Sequence, residues 1–417
     1  MKLNLLKYIF VISFITISCD VIVDWEEPEF LDGSILTETN PIDENTKNKL
    51  EGIYKITKGT EHFGVEVVFK FYNNTLSVFG SKSGTYLQLE VGHKDSEILF
   101  EGSWRHFLSA DGGLVRLFIT KDDGGEKLLD SSTSFSTIKL SGSYGNDETP
   151  LSSELSFEFV RSISDDVSSK EFYILAHRGG GRNSDFLGAS ENSLEIISLS
   201  EKLGANGIEI DVKISEDNIP FLYHDKTINL RLARESLIWG PVEDFTFSQI
   251  RLFVRLKNGE RIPSLQEALE FVLYKTNLKF VWLDMKSEKN AMAEVIEIQQ
   301  NILQKAERLG RELEVMIGLP SDDKANNFMK FPSFENVASL CELSKDITRN
   351  SNSQVWAPRW TLGTQLESVT EMQNEGRRVF TWTLDQTQFI SEFIKEGKFD
   401  GILTNYPTIV SYYHYAQ

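Results

Sequence analysis

Residues 207–212 read Gly207-Ile208-Glu209-Ile210-Asp211-Val212. Alternate side chains of a strand share a face, so Ile208, Ile210 and Val212 form one apolar face while Glu209 and Asp211 project together from the other. An unbroken apolar face is one covered by helices, which turns both carboxylates toward the inside of a sheet or its mouth. Two buried like charges repel there unless a cation lies between them. A divalent cation resolves that conflict.

The same texture continues on both sides. Strand candidates at Phe172–Ala176, Pro220–Tyr223, Leu278–Met285, Val315–Leu319, Val379–Leu384 and Gly401–Thr404 alternate with helical stretches at Asn192–Leu203, Leu265–Tyr274, Ala291–Leu309 and Thr387–Lys395. Repeated strand–helix units over about 245 residues match the ~250 residues of a (β/α)8 TIM-type barrel. The rival, a doubly wound open sheet, usually carries a Gly-rich phosphate loop, and the glycines at 179–181 lack that spacing.

Chemistry gathers where these strands end, which in such a barrel is the catalytic mouth. The first strand runs into Ala176-His177-Arg178-Gly179-Gly180-Gly181. The glycines permit close backbone approach to a ligand, and Arg178 offers a planar fork for phosphate oxygens. Another strand ends in Tyr223-His224-Asp225. A third ends in Leu283-Asp284-Met285-Lys286, placing an acid and a cation on one face.

Taken in order, His177-Arg178-Gly179-Gly180, Glu191-Asn192-Ser193, Gly207–Val212, Tyr223-His224-Asp225, Ile262–Glu267, Leu283–Lys286, Trp382-Thr383-Leu384 and Asp400–Asn405 resemble the glycerophosphodiester phosphodiesterase family over about residues 172–407. The resemblance implies a barrel that hydrolyses a glycerophosphodiester to an alcohol and sn-glycerol 3-phosphate with one divalent cation, Ca²⁺ or Mg²⁺. By position it makes Glu209, Asp211 and Asp284 the metal ligands, and His177 and His224 the general acid–base pair. It places Arg178 and Lys286 on the phosphate, Glu191 in the hydrogen-bond network and Trp382 on the wall of the glycerol pocket. Hard carboxylate ligands suit Ca²⁺ or Mg²⁺ on chemical grounds as well. Which histidine is the acid stays open. So does the nucleophile, water or the glycerol 2-hydroxyl.

Four departures stand out. Asp284 occupies a position where the family usually has Glu, Ser190 replaces Pro, and Asn405 replaces a frequent Asp. The insert Gly181–Ala189 separates the His-Arg turn from Glu191, as a lid or simply a longer loop.

The first half differs. Residues 47–165 carry short alternating apolar runs separated by Asn-Asn and Asp-Gly-Gly turns, which predict a small antiparallel all-β domain, sandwich or barrel. Its aromatic residues fill a core on this reading, and a role for it in binding a ligand or partner is not legible. A polar Ser-rich stretch at 162–170 precedes the phosphodiesterase domain, 171–417. At the other end, a basic start and a short apolar run stop at Ser18-Cys19, which resembles a bacterial lipoprotein signal over 1–18. Cys19 would then be lipidated, residues 19–46 would be an acidic tether, and the protein would be exported and membrane-anchored, on the periplasmic side or cell surface. Only Cys341 would remain, so no intramolecular disulfide forms.

With 43 basic against 62 acidic residues in 417, the net charge of −19 argues against a nucleic-acid partner. Two rival readings remain at this level. One is a phospholipase D-like enzyme acting on intact or lyso-phospholipids; the other is a non-catalytic surface lipoprotein that binds through its β-rich half.

Overall fold

The computed structural model describes residues 28–109, 111–130, 138–146 and 151–417. The signal over 1–18 and Cys19 lie outside the described residues. Among the described residues no helix is long and apolar enough to cross a membrane.

Alternating apolar runs in the first half form β1 (Gly52–Lys58), β2 (Glu66–Tyr72), β3 (Thr75–Gly80), β4 (Thr85–Lys94), β5 (Glu97–His106), β6 (Gly112–Ile119), β7 (Lys139–Tyr144) and β8 (Ser153–Arg161). Each pairs with the next and β8 returns to β1, so the sheet closes into a barrel. The β2–β3 turn is tight: Tyr72 faces Thr75, with Asn73 at φ 56°, a conformation Asn tolerates. Tyr54, Phe69, Leu89, Phe100, Leu117 and Phe157 share one buried core. Eight strands enclose an interior just wide enough for side chains to fill, and these buried side chains pack together. His62 and His106 pack with Phe63, Trp104 and Tyr144 in an aromatic group.

The acidic stretch read as a solvated tether over 19–46 is corrected over its described part, which lies on the barrel wall. Arg116, largely buried, holds Asp32 at 2.8 Å and Glu101 at 3.3 Å. Glu101 in turn accepts the amide of Ile35. Asn40 and His93 exchange backbone hydrogen bonds. Composition alone reported acidity; it carried no sign of the buried arginine on β6 that attracts it.

In the second half, β9 (Tyr173–Ala176), β10 (Gly207–Ile214), β12 (Phe280–Met285), β13 (Glu314–Leu319), β14 (Ser339–Cys341), β15 (Val355–Trp356), β16 (Arg378–Thr381) and β17 (Gly401–Thr404) pair in parallel, and β17 and β10 both pair with β9 to close the ring. The strand read at Pro220–Tyr223 is not a stave. As β11 (Pro220–Leu222) it folds back antiparallel on the end of β10 through a turn with Asn218 at φ 60°. Two staves, β14 and β15, are three and two residues long, too short to show a period.

Side chains sort by face. Leu175, Phe280, Trp282, Leu340, Phe380 and Leu403 fill the ring, while Ile208, Ile210 and Val212 meet the outer helices. One apolar core also runs between the domains, joining Ile53, Val68 and Phe79 of the first barrel to Leu203 and Ala205 of the second. Ser77 Oγ donates to the Lys202 carbonyl at 2.8 Å, and Phe107 meets Tyr406 edge-on at 5.1 Å.

The last helix (Pro407–Tyr415) carries His414, buried and stacked on Phe172 with ring centroids 4.5 Å apart. Burial pushes this imidazole down to about 4. The unfolded chain binds a proton near pH 6.5 and the folded one does not, so stability from this group is complete above 6.5 and is lost as pH falls toward 4. The loss amounts to about 2 to 3 kcal/mol by pH 4. His414→Phe is expected to flatten that part of the pH dependence, read as urea midpoints at pH 7.5 and 4.5. An unchanged slope would rule His414 out as its source.

Candidate active site

Strand geometry places the acids. Glu209 and Asp211 follow the inward face of β10, and Asp284 lies beside Asp211 in the parallel β10–β12 register. All three are buried. In each, one oxygen is tied to protein. Glu209 Oε2 accepts the Arg178 amide at 2.8 Å, Asp211 Oδ2 accepts Asn192 Nδ2 at 2.7 Å, and Asp284 Oδ2 lies 2.5 Å from Lys286 Nζ. The other oxygens, Glu209 Oε1, Asp211 Oδ1 and Asp284 Oδ1, are buried without a hydrogen-bond partner. The three side chains each bring a ligand atom within 4.8 Å of the others.

Buried acceptors left unpaired are costly, and converging ones suit a hard cation. The crowding bears on the carboxyls. Burial, with the charges of Asp211 and Asp284, holds Glu209 well above the usual carboxylate range, and burial also raises Asp284. Burial works against the Lys286 ammonium, yet Asp284 and Asp211 keep it protonated. The donor set fits a divalent cation.

Two imidazoles flank the acids. His177 Nδ1 lies 2.7 Å from Asn405 Oδ1. Asn405 Nδ2 donates to Asp385 at 2.6 Å, and the Asn405 amide donates to the same carboxylate at 2.8 Å. Asp385 accepts only, so Asn405 must turn its oxygen to His177, whose proton then resides on Nδ1. The bare Nε2 faces the acids, 3.7 Å from Glu209 Oε2. Burial, aided by the Arg178 charge, pushes this ring down to about 4.

His224 has a different partner: its Nδ1 lies 2.7 Å from Asp225 Oδ1. Although burial opposes ionisation of Asp225, Arg231, His224 and Asn229 hold it far below the usual range.

Arg178 Nη1 donates to Glu191 at 2.7 Å, and Arg231 Nη1 reaches both Glu191 oxygens at 3.1 Å. Trp382 follows β16 and packs on the ring core, its Nε1 on the Ala357 carbonyl at 2.7 Å and the Arg359 guanidinium 4.9 Å from its ring.

The structure thus brings together His177, Arg178, Glu191, Glu209, Asp211, His224, Asp284 and Lys286, with Trp382 near them on β16's end. The glycines do something other than expected. A Cβ on Gly180 would stand 2.6 Å from Ile196, and one on Gly179 3.0 Å from Ile197. They let the helix Leu194–Ser200 close on the turn rather than a ligand approach the backbone.

Sequence reasoning missed Asn192, Arg231, Arg359, Asp385 and Glu342. Asp385 follows a strand end and so carried a usable signal. Glu342 did not, because β14 is too short to read. It is a further carboxyl at the mouth, with a buried unpartnered Oε1, and burial together with the Asp284 charge holds it well above the usual range.

The model of the glycerophosphoryl diester phosphodiesterase family matches residues 177–409, which span both histidines, all three acids and Asn405. The chain belongs to this family. A glycerophosphodiester phosphodiesterase of Caldanaerobacter subterraneus subsp. tengcongensis is 26% identical over 243 residues, 56% of this chain and 94% of that one. Glycerophosphodiester phosphodiesterase 1 of Homo sapiens is 35% identical over 130 residues, 29% of this chain and 36% of that one. A solved phosphodiesterase of Oleispira antarctica, in complex with the product sn-glycerol-3-phosphate, aligns over 57% of this chain and 94% of its own with 18% identity and a TM-score of 0.45. Family membership rests on the second barrel; the first barrel lies outside the matched residues.

Proposed function

We propose that this glycerophosphodiester phosphodiesterase family member hydrolyses a glycerophosphodiester to sn-glycerol 3-phosphate and an alcohol, with one divalent cation, Ca²⁺ or Mg²⁺, held by Glu209, Asp211 and Asp284. The observation that carries this reading is the convergence of three buried, unpartnered carboxylate oxygens between two imidazoles with fixed Nδ1 partners. When bound, such a cation supplies charge neutralisation at the phosphate.

The chain's own residues divide the remaining work. His177, neutral and with Nε2 bare, accepts the proton of the attacking hydroxyl. His224, its Nδ1 held on Asp225, donates a proton to the leaving alkoxide. Arg178 and Lys286 bind non-bridging phosphate oxygens, and Glu191 fixes the plane of the Arg178 guanidinium. Trp382 walls the glycerol end.

Glycerophosphocholine and glycerophosphoethanolamine, assayed with EDTA and then with added Ca²⁺ or Mg²⁺, test the reading. Glycerol 3-phosphate is expected only with a cation present. None under any metal condition would remove the hydrolase assignment.

A second reading has one observation in its favour. Phe186 and Leu230 are exposed, and the Asn183 side chain ties their two loops at the Arg231 carbonyl (2.9 Å). Apolar side chains on that rim suit a substrate with an acyl chain, as in phospholipase D-like action on lysophospholipids. Faster turnover of lysophosphatidylcholine than of glycerophosphocholine would select it.

At the N-terminus we read Cys19 as the lipid-bearing residue of an exported, membrane-anchored protein, on the strength of the Ser18-Cys19 junction after an apolar run. Cys19→Ser is expected to move the protein from the membrane fraction to the soluble one.

A further inference from the structure

A side chain of the first barrel reaches the insert that borders the active site. Arg105, on β5, is 2% exposed. Its Nη2 donates to the Asp185 carbonyl at 3.0 Å and its Nη1 donates to the Phe186 carbonyl. These carbonyls end the short turn Asn183–Asp185 inside the insert 181–189, where Phe186 takes a left-handed φ of 50°. A non-glycine residue in that region is strained and persists only where its surroundings hold it.

The same loop touches the phosphate network at its other side. Asn183 donates its amide to Glu191 Oε2 at 3.1 Å and accepts the Glu191 amide on Oδ1 at 2.9 Å. Its Nδ2 donates to the Arg231 carbonyl. Glu191 then holds Arg178 and Arg231, and Arg231 holds Asp225 behind His224 at 2.5 Å. The loop is held from both domains, with Leu187 and Ala189 also buried in the shared core. Arg105 fixes the outer end, and Asn183 transmits the position to Glu191.

We propose that Arg105 is a positioning residue for phosphate binding, and that holding the 181–189 loop against the catalytic mouth is a function of the β-barrel domain. The insert is then a strut between domains and not a lid. This rests on the phosphodiesterase reading given above. Without the guanidinium, the loop loses its outer anchor, Glu191 loses its reciprocal pair with Asn183, and the Arg178 fork is no longer aimed. An ångström of misplacement costs about a hundredfold in such a site.

The test uses the full chain with Arg105→Ala, Arg105→Lys, Asn183→Ala and the Arg105→Ala/Asn183→Ala pair. For Arg105→Ala, kcat/KM is expected to fall roughly 10- to 100-fold, with KM and the inhibition constant of sn-glycerol 3-phosphate both rising and cation affinity unchanged. Lysine, which reaches one carbonyl at a time, is expected to restore part of the loss. The double variant is expected to match the worse single variant, because both break one chain of contacts. Kinetics within twofold of wild type, or additive losses in the pair, would overturn the proposal. Asn183→Ala alone tests the inner link if Arg105→Ala fails to fold. Hydrogen exchange gives a readout independent of turnover. The Asn183 and Glu191 amides are expected to exchange at least tenfold faster in Arg105→Ala. Unchanged exchange there overturns the proposal even if no substrate is hydrolysed, whereas an inactive wild type with the expected exchange overturns only the hydrolase reading.

Discussion

His177→Gln is expected to lower kcat on a glycerophosphodiester by about 10³-fold while leaving cation affinity within a few-fold. Glutamine keeps the bulk of the ring and offers no basic nitrogen. The native ring is prepared for proton acceptance by a defined chain: Asp385 orients Asn405, Asn405 accepts Nδ1–H, and Nε2 is left bare at the acids. Its pH dependence follows with a definite sign. Burial and Arg178 push the ring down to about 4; in the proposed role the neutral form is the working one, and activity is therefore expected to fall as pH drops through about 4 to 5. It does not fall near 6.5, where a solvated histidine titrates. Asn405→Asp is expected to shift that acid limb upward by about one unit or more, since a carboxylate on Nδ1–H favours the imidazolium. An acid limb at pH 6 to 7 in the wild type, or a limb that Asn405→Asp leaves in place, would remove His177 as the base.

Asp211→Asn is expected to abolish cation binding and activity together. Asp211 is the innermost acid, fully buried, with Asn192 on one oxygen and the other unpartnered. Asparagine retains the shape but not the charge, and it leaves the remaining acids facing Lys286 alone. Calorimetric titration with Ca²⁺ and Mg²⁺ measures the first effect. Thermal unfolding measures a second. At a cation concentration 100 times Kd the wild type gains about 2.7 kcal/mol from binding, and the variant is expected to gain nothing. Asp284→Ala probes the shortened ligand in the same way. Full occupancy retained in that variant would remove Asp284 from the ligand set, and a cation-dependent stability gain retained in Asp211→Asn would do the same for Asp211.

Much of this site was legible because its chemistry is local. Glu209 and Asp211 share a face by the two-residue repeat of a strand, and His177, His224 and Asp284 each end a run of apolar residues. What was illegible depended on partners distant along the chain. Asn405 looked like a departure from the family; its pairing with Asp385 makes it the group that orients His177. The glycines after Arg178 suggested room for a ligand, and the helix behind them occupies that room. The acidic stretch at 19–46 suggested a tether, and Arg116 holds Asp32 within its described part against the barrel. Strands of two or three residues, such as β14 and β15, carry no period, so Glu342 at the end of one escaped notice.

By itself the sequence determined the β-rich and strand–helix halves, the alternation that seats two acids inside a barrel, and the family to which residues 177–409 belong. These properties are written in neighbouring residues, through side-chain periods and strand-end chemistry. Only the tertiary structure decided that the first sheet closes, that the two barrels share a core, and which tautomer His177 holds. It alone placed Arg105 on a loop 80 residues away and His177 on Asn405 228 residues away. Hydrogen bonds across such separations form when folding brings the groups together, and no local pattern of residues encodes them.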